Sequence, residues 1–388
     1  MKKLVRYNLD RLDKIGANFN WILGERSNGK SYQIKHKKGV EKYLFDSKDY
    51  HAVYTDKTKV IEEIVKSGTR RFILLRRFAE EIKTSIINQY FTDIDIVKLT
   101  DGKYNIINVY RQSIYLGNYN VETGKTTNDI KIGYVRALST EQNYAGGSYL
   151  DVTDIIYEEV ISRTSYIRDE PTKLMNFYST IDRKRGIVRV WMAGNTISRV
   201  CPYFYEWGMD KMLRNMKQGE IKTRWMRTGE KDDNGKDIEV LMAIEYCKST
   251  GNSSFVFGRH ADMLNTGSWQ TDPQPHLTKS RNSYKMLYKI YFAYQSFKFA
   301  CEYLLDNDTK STCWFIYPYT KGEIPKNHIV ISDVIKESHY YQRDIYNVNI
   351  KNKKIVDLLK NFRECNIFYA SDLCGTDFKQ VIDFQIRK

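Results

Sequence analysis

The sequence predicts an α/β fold with three parts: a unit with a mostly parallel β-sheet, a small linking subdomain, and a C-terminal α+β unit. Three observations lead to this prediction. The stretch GERSNGKS, residues 24–31, follows the apolar run 19–23, and the apolar residues 155–157 run directly into Glu158 and Glu159. From Tyr284 onward the chain is rich in aromatic residues, which are enriched in strands. The predicted boundaries are residues 1–203, 204–280 and 281–388.

Length and charge limit the classes of protein that fit. The chain has 388 residues and a formal net charge of +15, which favours a polyanionic partner, nucleic acid first and an acidic membrane surface second. No apolar run approaches the length of a membrane span, and the N-terminus lacks the pattern of a signal peptide. We therefore expect a soluble protein. The six cysteines and six histidines show no metal-ligand spacing, so no zinc site is predicted.

The first motif has the spacing G-x-x-x-x-G-K-S of a phosphate-binding loop between a strand and a helix. Its backbone N–H groups would surround a phosphate, Lys30 would reach the β- and γ-phosphates, and Ser31 would bind Mg²⁺. A chance glycine-rich turn is the alternative, but the preceding apolar run and a following helical stretch to Leu44 favour the loop. We predict that ATP and Mg²⁺ bind here, at Gly24, Glu25, Arg26, Ser27, Asn28, Gly29, Lys30 and Ser31.

The second motif supplies carboxylates at the end of a predicted buried parallel strand. We assign Glu158 to the Mg²⁺ shell through water and Glu159 to polarising the attacking water. Asp154 is the rival for the metal role. Because it precedes Glu158 by four residues, it would lie about 13 Å away on a strand and therefore at the wrong end. A solvated strand end without function is the remaining interpretation of the two glutamates.

Two more strands fit the same sheet. The stretch FILLRR, residues 72–77, ends in Arg76 and Arg77, which could face a nucleotide or a neighbouring subunit, or pair with Glu80 and Glu81. The stretch IVRVWMAGN, residues 187–195, ends in Asn195, which is placed to sense a γ-phosphate or hold the water. An ordinary turn residue is the alternative for this asparagine.

A helix is predicted between these strand tips, beginning near Pro171 and carrying an apolar face of Leu174, Phe177, Tyr178 and Ile181. Arg183, Lys184 and Arg185 are predicted to close its last turn before Gly186. They have two interpretations. Cations at a helix C-terminus complement the helix dipole, which is a structural role. An arginine finger that reaches the nucleotide of the next subunit is the functional one, with Arg183 as the candidate.

The motifs ILGERSNGKSY, FILLRRF, DIIYEEV, STIDRKR and GNTISRVCPYF occur in this order in the first half of the chain. This half resembles the DNA-packaging ATPases of the phi29-like phages, relatives of the large terminases whose fold has an additional strand and a catalytic glutamate. The resemblance carries the P-loop roles onto Lys30 and Ser31, the catalytic role onto Glu159 and the trans finger onto Arg183. It makes Arg26 a second, cis-acting finger candidate. Glu158 stands where the pattern has Asp.

The resemblance also implies partners. It implies a homomeric ring, a pentamer, docked on the portal of the viral procapsid and driving double-stranded DNA inward. The expected location is the host cytoplasm and, transiently, the portal vertex, with no membrane contact. A lactococcal phage of the ascc-phi28 type is the expected source.

The second half carries weaker signals. Strands of the linking subdomain are predicted at residues 238–246 and 254–258, and from Tyr284 the chain is predicted to be strand-rich, with helices near residues 332–338 and 354–363. In large terminases this place holds an RNase H-like nuclease, which cuts with carboxylates around two metal ions. Its first strand must carry an Asp, and residues 284–294 contain none, so we predict a nuclease-like fold that is catalytically vestigial. Basic strand residues are expected to touch DNA or the portal: Lys285, Lys289 and Lys298. Four carboxylates could be gathered by folding, but no pattern marks them: Asp306, Asp308, Asp372 and Asp377.

Three other functions remain open at the level of sequence. One is a terminase with a live nuclease, and a second is a P-loop phosphotransferase acting on a small acceptor. The third is a capsid-associated structural protein whose nucleotide site only stabilises assembly. The net charge and the lack of an acceptor motif argue against the phosphotransferase.

Overall fold

The computed structural model describes residues 7–26, 28–40, 70–162, 166–231, 234–249, 266–325, 328–334, 340–341, 352–364 and 366–386. The strands are β1 (Phe19–Gly24), β2 (Arg71–Arg76), β3 (Ile106–Tyr110), β4 (Ser113–Gly117), β5 (Tyr119–Asn120), β6 (Lys125–Thr126), β7 (Ile130–Ala137), β8 (Val152–Glu158), β9 (Arg189–Asn195), β10 (Ile221–Lys231), β11 (Asp237–Tyr246), β12 (Tyr284–Tyr294), β13 (Phe297–Asp306), β14 (Thr312–Pro318), β15 (Ile329–Ser332), β16 (Tyr340–Tyr341) and β17 (Ile367–Tyr369).

The described helices are mostly short. They are α1 (Asp10–Asp13), α2 (Lys30–Ile34), α3 (Thr84–Tyr90), α4 (Ile96–Leu99), α5 (Glu170–Asp182), α6 (Pro202–Glu206), α7 (Asp210–Arg214), α8 (Lys353–Arg363) and α9 (Asp372–Ile386), with 3₁₀ turns at Ala79–Ile82, Leu138–Tyr144 and Arg281–Ser283. The P-loop helix α2 continues as wider π-helical turns over Lys35–Val40. Its predicted extension to Leu44 lies outside the described residues. No helix in the described ranges is long and apolar enough to span a membrane.

In the described ranges, the first sheet has nine strands in the order β10-β11-β1-β9-β8-β2-β7-β4-β3. Its six inner strands, from β11 to β7, pair in parallel, and β10, β4 and β3 add antiparallel edges. Buried residues alternate between the two faces. Ile155 and Tyr157 pack into one core cluster, and Ile156 packs into the other. A parallel sheet covered on both faces requires such continuous apolar strands, and the predicted mostly parallel α/β sheet is confirmed.

The sheet extends further along the chain than the boundary at residue 203. Strand β11 pairs with the P-loop strand β1, for example at Trp21 opposite Ile244. The C-terminal half of β11 is buried and covers the outer edge of β1. Strands β10 and β11 therefore belong to the main sheet, although the sequence predicts that they form a linking subdomain. The three-part division stays a prediction. The strand predicted at residues 254–258 lies outside the described residues.

The described part of the second sheet has six strands in the order β16-β15-β12-β13-β14-β17. Strands β12, β13 and β14 form an antiparallel meander, β15 pairs in parallel with β12, and β16 with β15. Buried residues of α8 and α9, such as Leu358 and Phe378, pack with Trp314 of the sheet in one core. The helix predicted near residues 354–363 is confirmed as α8, and the one predicted near 332–338 lies mostly outside the described residues.

Side chains that directly follow β9 join the two sheets. The guanidinium of Arg199 forms an ion pair with Asp377 on α9, and Ser198 Oγ donates a hydrogen bond to Gln380 Oε1 at 3.0 Å. Val200 packs into the core of the second sheet. The strand that ends at the predicted sensor Asn195 therefore continues, within five residues, into contacts with the C-terminal unit.

Candidate nucleotide-binding site

Three parallel strands bring the predicted site residues to one edge of the first sheet. In the strand register Gly24 of β1 lies opposite Asn195 of β9, and Glu158 of β8 lies opposite Ala193. A cavity of about 500 Å³ opens at this edge, lined by Arg26, Asn28, Gly29, Lys30, Ser31, Tyr32, Asp93, Glu158, Glu159, Ala193, Gly194 and Asn195. A single site thus gathers residues predicted from three separate motifs. Ser27 lies outside the described residues.

The loop between β1 and α2 has the conformation that its glycines permit. Gly29 has a φ of 91°, which residues with a side chain rarely adopt, and it directly precedes the helix. At Gly24 an added Cβ would lie 2.9 Å from the Cβ of Cys247, so the closeness of β11 requires glycine here. Glu25 is buried and its Oε2 accepts a hydrogen bond from Ser249 Oγ at 2.7 Å. Gly24 and Glu25 therefore support the loop, and the residues after them line the cavity.

The Lys30 side chain is turned inward onto its own loop. Its Nζ donates to the main-chain oxygen of Glu25, and lies 3.2 Å from Asn28 Oδ1 and 3.3 Å from Asn195 Oδ1. Burial lowers the pKa of Lys30 to about 8, against the charges of Cys247, Glu25 and Glu158, which raise it. The ammonium group thus occupies the space that a P-loop offers to phosphate oxygens.

Glu158 has the properties of a carboxylate prepared for a cation. It is buried, and its Oε1 has no hydrogen-bond partner in the described part of the chain. Burial raises its pKa, while the hydroxyl groups of Tyr90 and Ser31 and the charges of Arg76 and Lys35 act in the opposite direction. An unpartnered buried carboxylate oxygen close to the Ser31 hydroxyl fits the oxygen ligands that Mg²⁺ requires.

Asp154, the rival metal ligand, is committed to a structural role. Its Oδ1 accepts a hydrogen bond from Trp191 Nε1 at 2.9 Å, and its Oδ2 accepts one from Thr153 Oγ1 at 2.7 Å. It lies on β8 four residues before Glu158 and does not line the cavity. This geometry supports Glu158 over Asp154 for the metal role.

Glu159 lies just beyond β8 and projects into solvent at the rim of the cavity. Its side chain is 72% exposed, and its Oε2 lies 3.5 Å from Arg76 Nη2. Its φ of 55° is in the left-handed region, which turns the side chain away from the strand direction. Arg76 also forms an ion pair with Glu81, with 3.1 Å between Nε and Oε2, and this pairing was one of the predicted alternatives.

The three basic residues after α5 divide into different roles. The helix ends at Asp182, earlier than predicted, because the Asp182 carboxylate accepts hydrogen bonds from the N–H groups of Gly186, Ile187 and Val188. Arg183 is the C-terminal cap, and its main-chain N–H donates to the oxygen of Ser179 at 2.9 Å, as predicted, whereas Lys184 and Arg185 follow the helix. Arg185 donates to several main-chain oxygens, whereas exposed Arg183 donates to one, that of Gly147 at 2.7 Å.

Arg183 lies at the far end of the sheet from the cavity in its own subunit. It precedes β9, whose carboxyl end carries Asn195, and a seven-residue strand is ~20 Å long. The structure therefore does not bring Arg183 together with Lys30 and Glu159. Arg26 is exposed and lines the cavity, as a cis-acting candidate requires.

Two features of the site were not predicted. Asp93 lines the cavity and forms an ion pair with Lys35. Arg77 pairs with Glu170, Nε to Oε2 at 2.9 Å, and not with Glu80 or Glu81. The acidic Asp93 follows an apolar stretch without a motif, and Glu170 is 93 residues from Arg77, so no local pattern marks either residue.

Most of the candidate lysines and carboxylates of the C-terminal unit have partners within this chain. Lys289 Nζ lies 2.7 Å from Glu302 Oε1, and Lys298 Nζ donates to the main-chain oxygen of Gly322 at 2.7 Å, whereas Lys285 is exposed. The four candidate carboxylates pair separately: Asp306 and Asp308 with Lys279, Asp372 with His276, and Asp377 with Arg199. Within the described ranges, no group of three or more His, Cys, Asp or Glu residues could hold a metal ion.

The fold and the site together define a P-loop nucleotide-binding protein with a mostly parallel sheet and acidic residues on the strand next but one to the P-loop strand. Residues 42–214 match the family model described as Podovirus DNA encapsidation protein (Gp16). The DNA packaging proteins of Bacillus phages phi29 and PZA are each 27% identical to this chain over 207 residues, covering 53% of this chain and 50% of theirs. The chain spans about half the length of the curated relatives it matches.

A solved structure supports the overall architecture. A chain of the bacteriophage Phi-29 viral genome packaging motor assembly superimposes with a TM-score of 0.52 and 19% identity, over 98% of this chain and 99% of that chain. The first half of the chain is thus related to phage DNA packaging proteins, and the fold extends the likeness to both sheets.

Proposed function

We propose that this protein hydrolyses ATP to move double-stranded DNA into a preformed viral procapsid. The observation that carries the proposal is the meeting of Lys30, Glu158 and Glu159 in one cavity at the carboxyl ends of β1 and β8. The match to phage DNA encapsidation and packaging proteins gives the polyanionic partner that the net charge of +15 favours.

Each residue has a role that its geometry supports. The N–H groups of the loop and Lys30 would bind the phosphates, Ser31 and, through water, Glu158 would hold Mg²⁺, and Asn195 would contact the γ-phosphate end. When bound, Mg²⁺ would neutralise charge on the phosphate oxygens. The exposed Glu159 carboxylate, held only by a 3.5 Å contact with Arg76 among the described residues, would accept a proton from the attacking water.

The proposal includes an assembly. Arg183 lies too far from its own cavity to act there, which supports a homomeric ring in which it reaches the neighbouring subunit's site, and we infer five copies around the portal. The related phi29 structure, described as a viral genome packaging motor assembly, supports this arrangement. The working location is then the host cytoplasm and the portal vertex. The source in a lactococcal phage of the ascc-phi28 type stays a prediction.

For the C-terminal unit we propose an RNase H-like fold without nuclease activity. The strand order supports this fold: β12, β13 and β14 form an antiparallel meander, and β15 and β16 then add in parallel on the side of β12. The pairing of Lys289 with Glu302, on the first two strands, supports the vestigial character because an internal ammonium group takes the place beside that carboxylate.

The proposal is tested by ATP turnover of the full chain with and without double-stranded DNA. We expect DNA to stimulate hydrolysis, Glu159→Gln to abolish turnover while retaining ATP binding, and DNA affinity to fall by ~10³ or more between 50 and 200 mM salt if ~6 phosphates are engaged. Turnover that ignores DNA and depends on a small acceptor would favour a phosphotransferase. Metal-dependent nicking of DNA by the wild type would favour a live terminase nuclease.

A further inference from the structure

The guanidinium group of Arg77 lies behind the nucleotide site and does not line its cavity. Arg77 directly follows β2, and its side chain is 6% exposed. Its Nη1 donates a hydrogen bond to the main-chain oxygen of Glu159 at 3.1 Å, and its Nη2 donates one to that of Val160 at 2.8 Å. One side chain therefore holds two consecutive peptide groups at the point where β8 ends.

Arg77 is itself held by a buried carboxylate. Its Nε lies 2.9 and 3.1 Å from the two carboxylate oxygens of Glu170, whose side chain is completely buried. Glu170 Oε1 also accepts from the hydroxyl groups of Tyr157 at 2.6 Å and Tyr203 at 3.0 Å, and its Oε2 accepts from the N–H of Ile167 at 2.9 Å. A buried pair with this many hydrogen bonds keeps the guanidinium group in one orientation.

The main chain at Glu159 needs such support. Its φ of 55° is uncommon for a residue with a side chain, and such conformations persist where the surroundings hold them. The Glu159 side chain is 72% exposed, and the contact it makes among the described residues is with Arg76 at 3.5 Å. The direction of this carboxylate is therefore set mainly by its own main chain, which Arg77 anchors.

We propose that Arg77, held by Glu170, is a positioning residue for ATP hydrolysis: it fixes the main-chain oxygens of Glu159 and Val160 and thereby sets the direction of the Glu159 carboxylate at the rim of the cavity. This inference rests on the proposed function. Arg77 acts on the chemical step and leaves nucleotide affinity unchanged, because the phosphate-binding groups belong to the loop after β1 and make no contact with it. A catalytic base displaced by about 1 Å can lose ~10²-fold in rate.

Two variants test the inference in the full-length protein. Arg77→Lys keeps a positive charge beside Glu170, but one ammonium group cannot replace the planar fork that reaches two main-chain oxygens. The double variant Arg77→Met with Glu170→Gln removes both charges together, which avoids leaving a buried charge unpaired. For both we expect a dissociation constant for a fluorescent ATP analogue within about twofold of wild type and kcat lower by about 10–100-fold.

The same strand offers a matched control. Arg71 at the start of β2 forms an ion pair with Asp151 and donates to the main-chain oxygen of Lys131 at 3.2 Å, at the opposite end of the sheet from the cavity. Arg71→Met with Asp151→Asn should keep kcat. If the wild-type protein hydrolyses ATP, two results would overturn the positioning role alone. One is a kcat of the Arg77 variants equal to that of the wild type, and the other is a loss of nucleotide binding as large as the loss of kcat. A wild type that does not hydrolyse ATP overturns the proposed function and this inference with it.

Discussion

The Nζ of Lys30 lies 3.3 Å from the Oδ1 of Asn195, across the mouth of the P-loop. Lys30 begins helix α2 and Asn195 ends strand β9, and both face the place where terminal phosphates would lie. In this arrangement Lys30 satisfies its hydrogen bonds with the loop's own oxygen atoms. Nucleotide binding must therefore exchange these partners for phosphate oxygens, and the charge state of Lys30 becomes part of the binding equilibrium.

The first prediction concerns the pH dependence of ATP binding. Burial lowers the pKa of Lys30 to about 8 in the free protein, so the ammonium form is lost as the pH rises through this value. Because phosphates bind the charged form, ATP affinity should decrease above pH 8 by up to about tenfold per pH unit, and binding there should take up protons. Titration calorimetry in buffers with different ionisation enthalpies measures both effects.

Arg is charged over the whole range, and Lys30→Arg is therefore the control for this pH dependence. Its ATP affinity should be weaker at pH 7 but flat between pH 7 and 9. A wild-type affinity that is equally flat over this range would show that Lys30 stays charged in the free protein.

The second prediction separates the two candidate metal ligands. Asp154→Ala leaves the buried Trp191 N–H without its acceptor, so it should cost about 1–3 kcal/mol of the free energy of unfolding while the Mg²⁺ requirement stays the same. Glu158→Ala should do the reverse: higher Mg²⁺ is needed for turnover, with the fold intact. Melting temperatures and Mg²⁺ titrations of ATPase activity are the measurements. If Asp154→Ala raised the Mg²⁺ requirement and Glu158→Ala did not, the metal role would belong to Asp154.

Glu158→Gln gives the third prediction, on stability. Burial raises the pKa of Glu158, so ionising this carboxylate opposes folding and its contribution grows more unfavourable as the pH rises through the raised pKa. The neutral amide should therefore raise the melting temperature of the nucleotide-free protein at pH 7–8 and abolish this part of its pH dependence, while turnover falls. A melting temperature that drops in this variant would mean that a partner stabilises the charged carboxylate.

The fourth prediction concerns the finger candidate. Loss of a trans finger costs 10³–10⁵ in turnover, whereas loss of a cation near a helix C-terminus costs ~0.3–1 kcal/mol of stability. Arg183→Ala should retain its fold and nucleotide binding and lose nearly all DNA-stimulated hydrolysis. Arg185→Ala is the matched control: it removes several hydrogen bonds to main-chain oxygens and should lower the melting temperature.

Mixing two variants in one assembly shows whether the finger acts on its own subunit or on the neighbouring one. Glu159→Gln lacks the base but keeps Arg183, so mixed assemblies with Arg183→Ala should regain some activity at shared interfaces. Absence of any rescue, with both variants assembling normally, would make Arg26 the better candidate because it lines the cavity of its own subunit. Normal turnover in Arg183→Ala would leave that residue with a structural role only.

The fifth prediction concerns the segment before β12. His276 Nδ1 lies 2.8 Å from the main-chain oxygen of Tyr369 and its Nε2 lies 2.9 Å from Asp372 Oδ1. Since both partners are acceptors, the ring must carry both protons, and the Tyr369 oxygen and then Asp372 raise the His276 pKa above 6.5. The contact therefore stabilises the fold fully below pH 6.5 and fades as the pH rises through the raised pKa, while the lowered pKa of Asp372 keeps that partner charged.

Nuclear magnetic resonance titration of His276 checks this prediction. The measured pKa should exceed 6.5 in the wild type and return towards that value in Asp372→Asn. A value below 6.5 in the wild type would show that the contact does not form in solution.

Local patterns predicted the parts of the site that lie within a few residues of a motif. The P-loop, the two glutamates and Asn195 each end an apolar strand, and the rule that parallel strands end at one edge brought them together correctly. The apolar face of α5 and its start near Pro171 were predictable for the same reason, because a 3.6-residue period is visible in the sequence.

Contacts between distant parts of the chain were not predictable in this way. Arg77 had two glutamates nearby in sequence, yet its partner is Glu170, because the tyrosine hydroxyl groups around Glu170 make a fully hydrogen-bonded buried site. Strand β11 was assigned to a linking subdomain because it follows a polar and charged stretch, residues 212–237. Only its place beside β1 shows that it completes the main sheet.

The position of β1 inside the sheet has a consequence for synthesis. Its two neighbours, β9 and β11, are made much later: Leu241 of β11 donates its main-chain N–H to Asn18, directly before β1, and these two residues are 223 residues apart. At ~5–20 residues per second, some ten to forty seconds pass before both edges of this strand are covered. The P-loop strand is thus made well before both of the strands that pair with it. A fragment that stops at residue 203 would keep the outer edge of β1 open and be prone to aggregate.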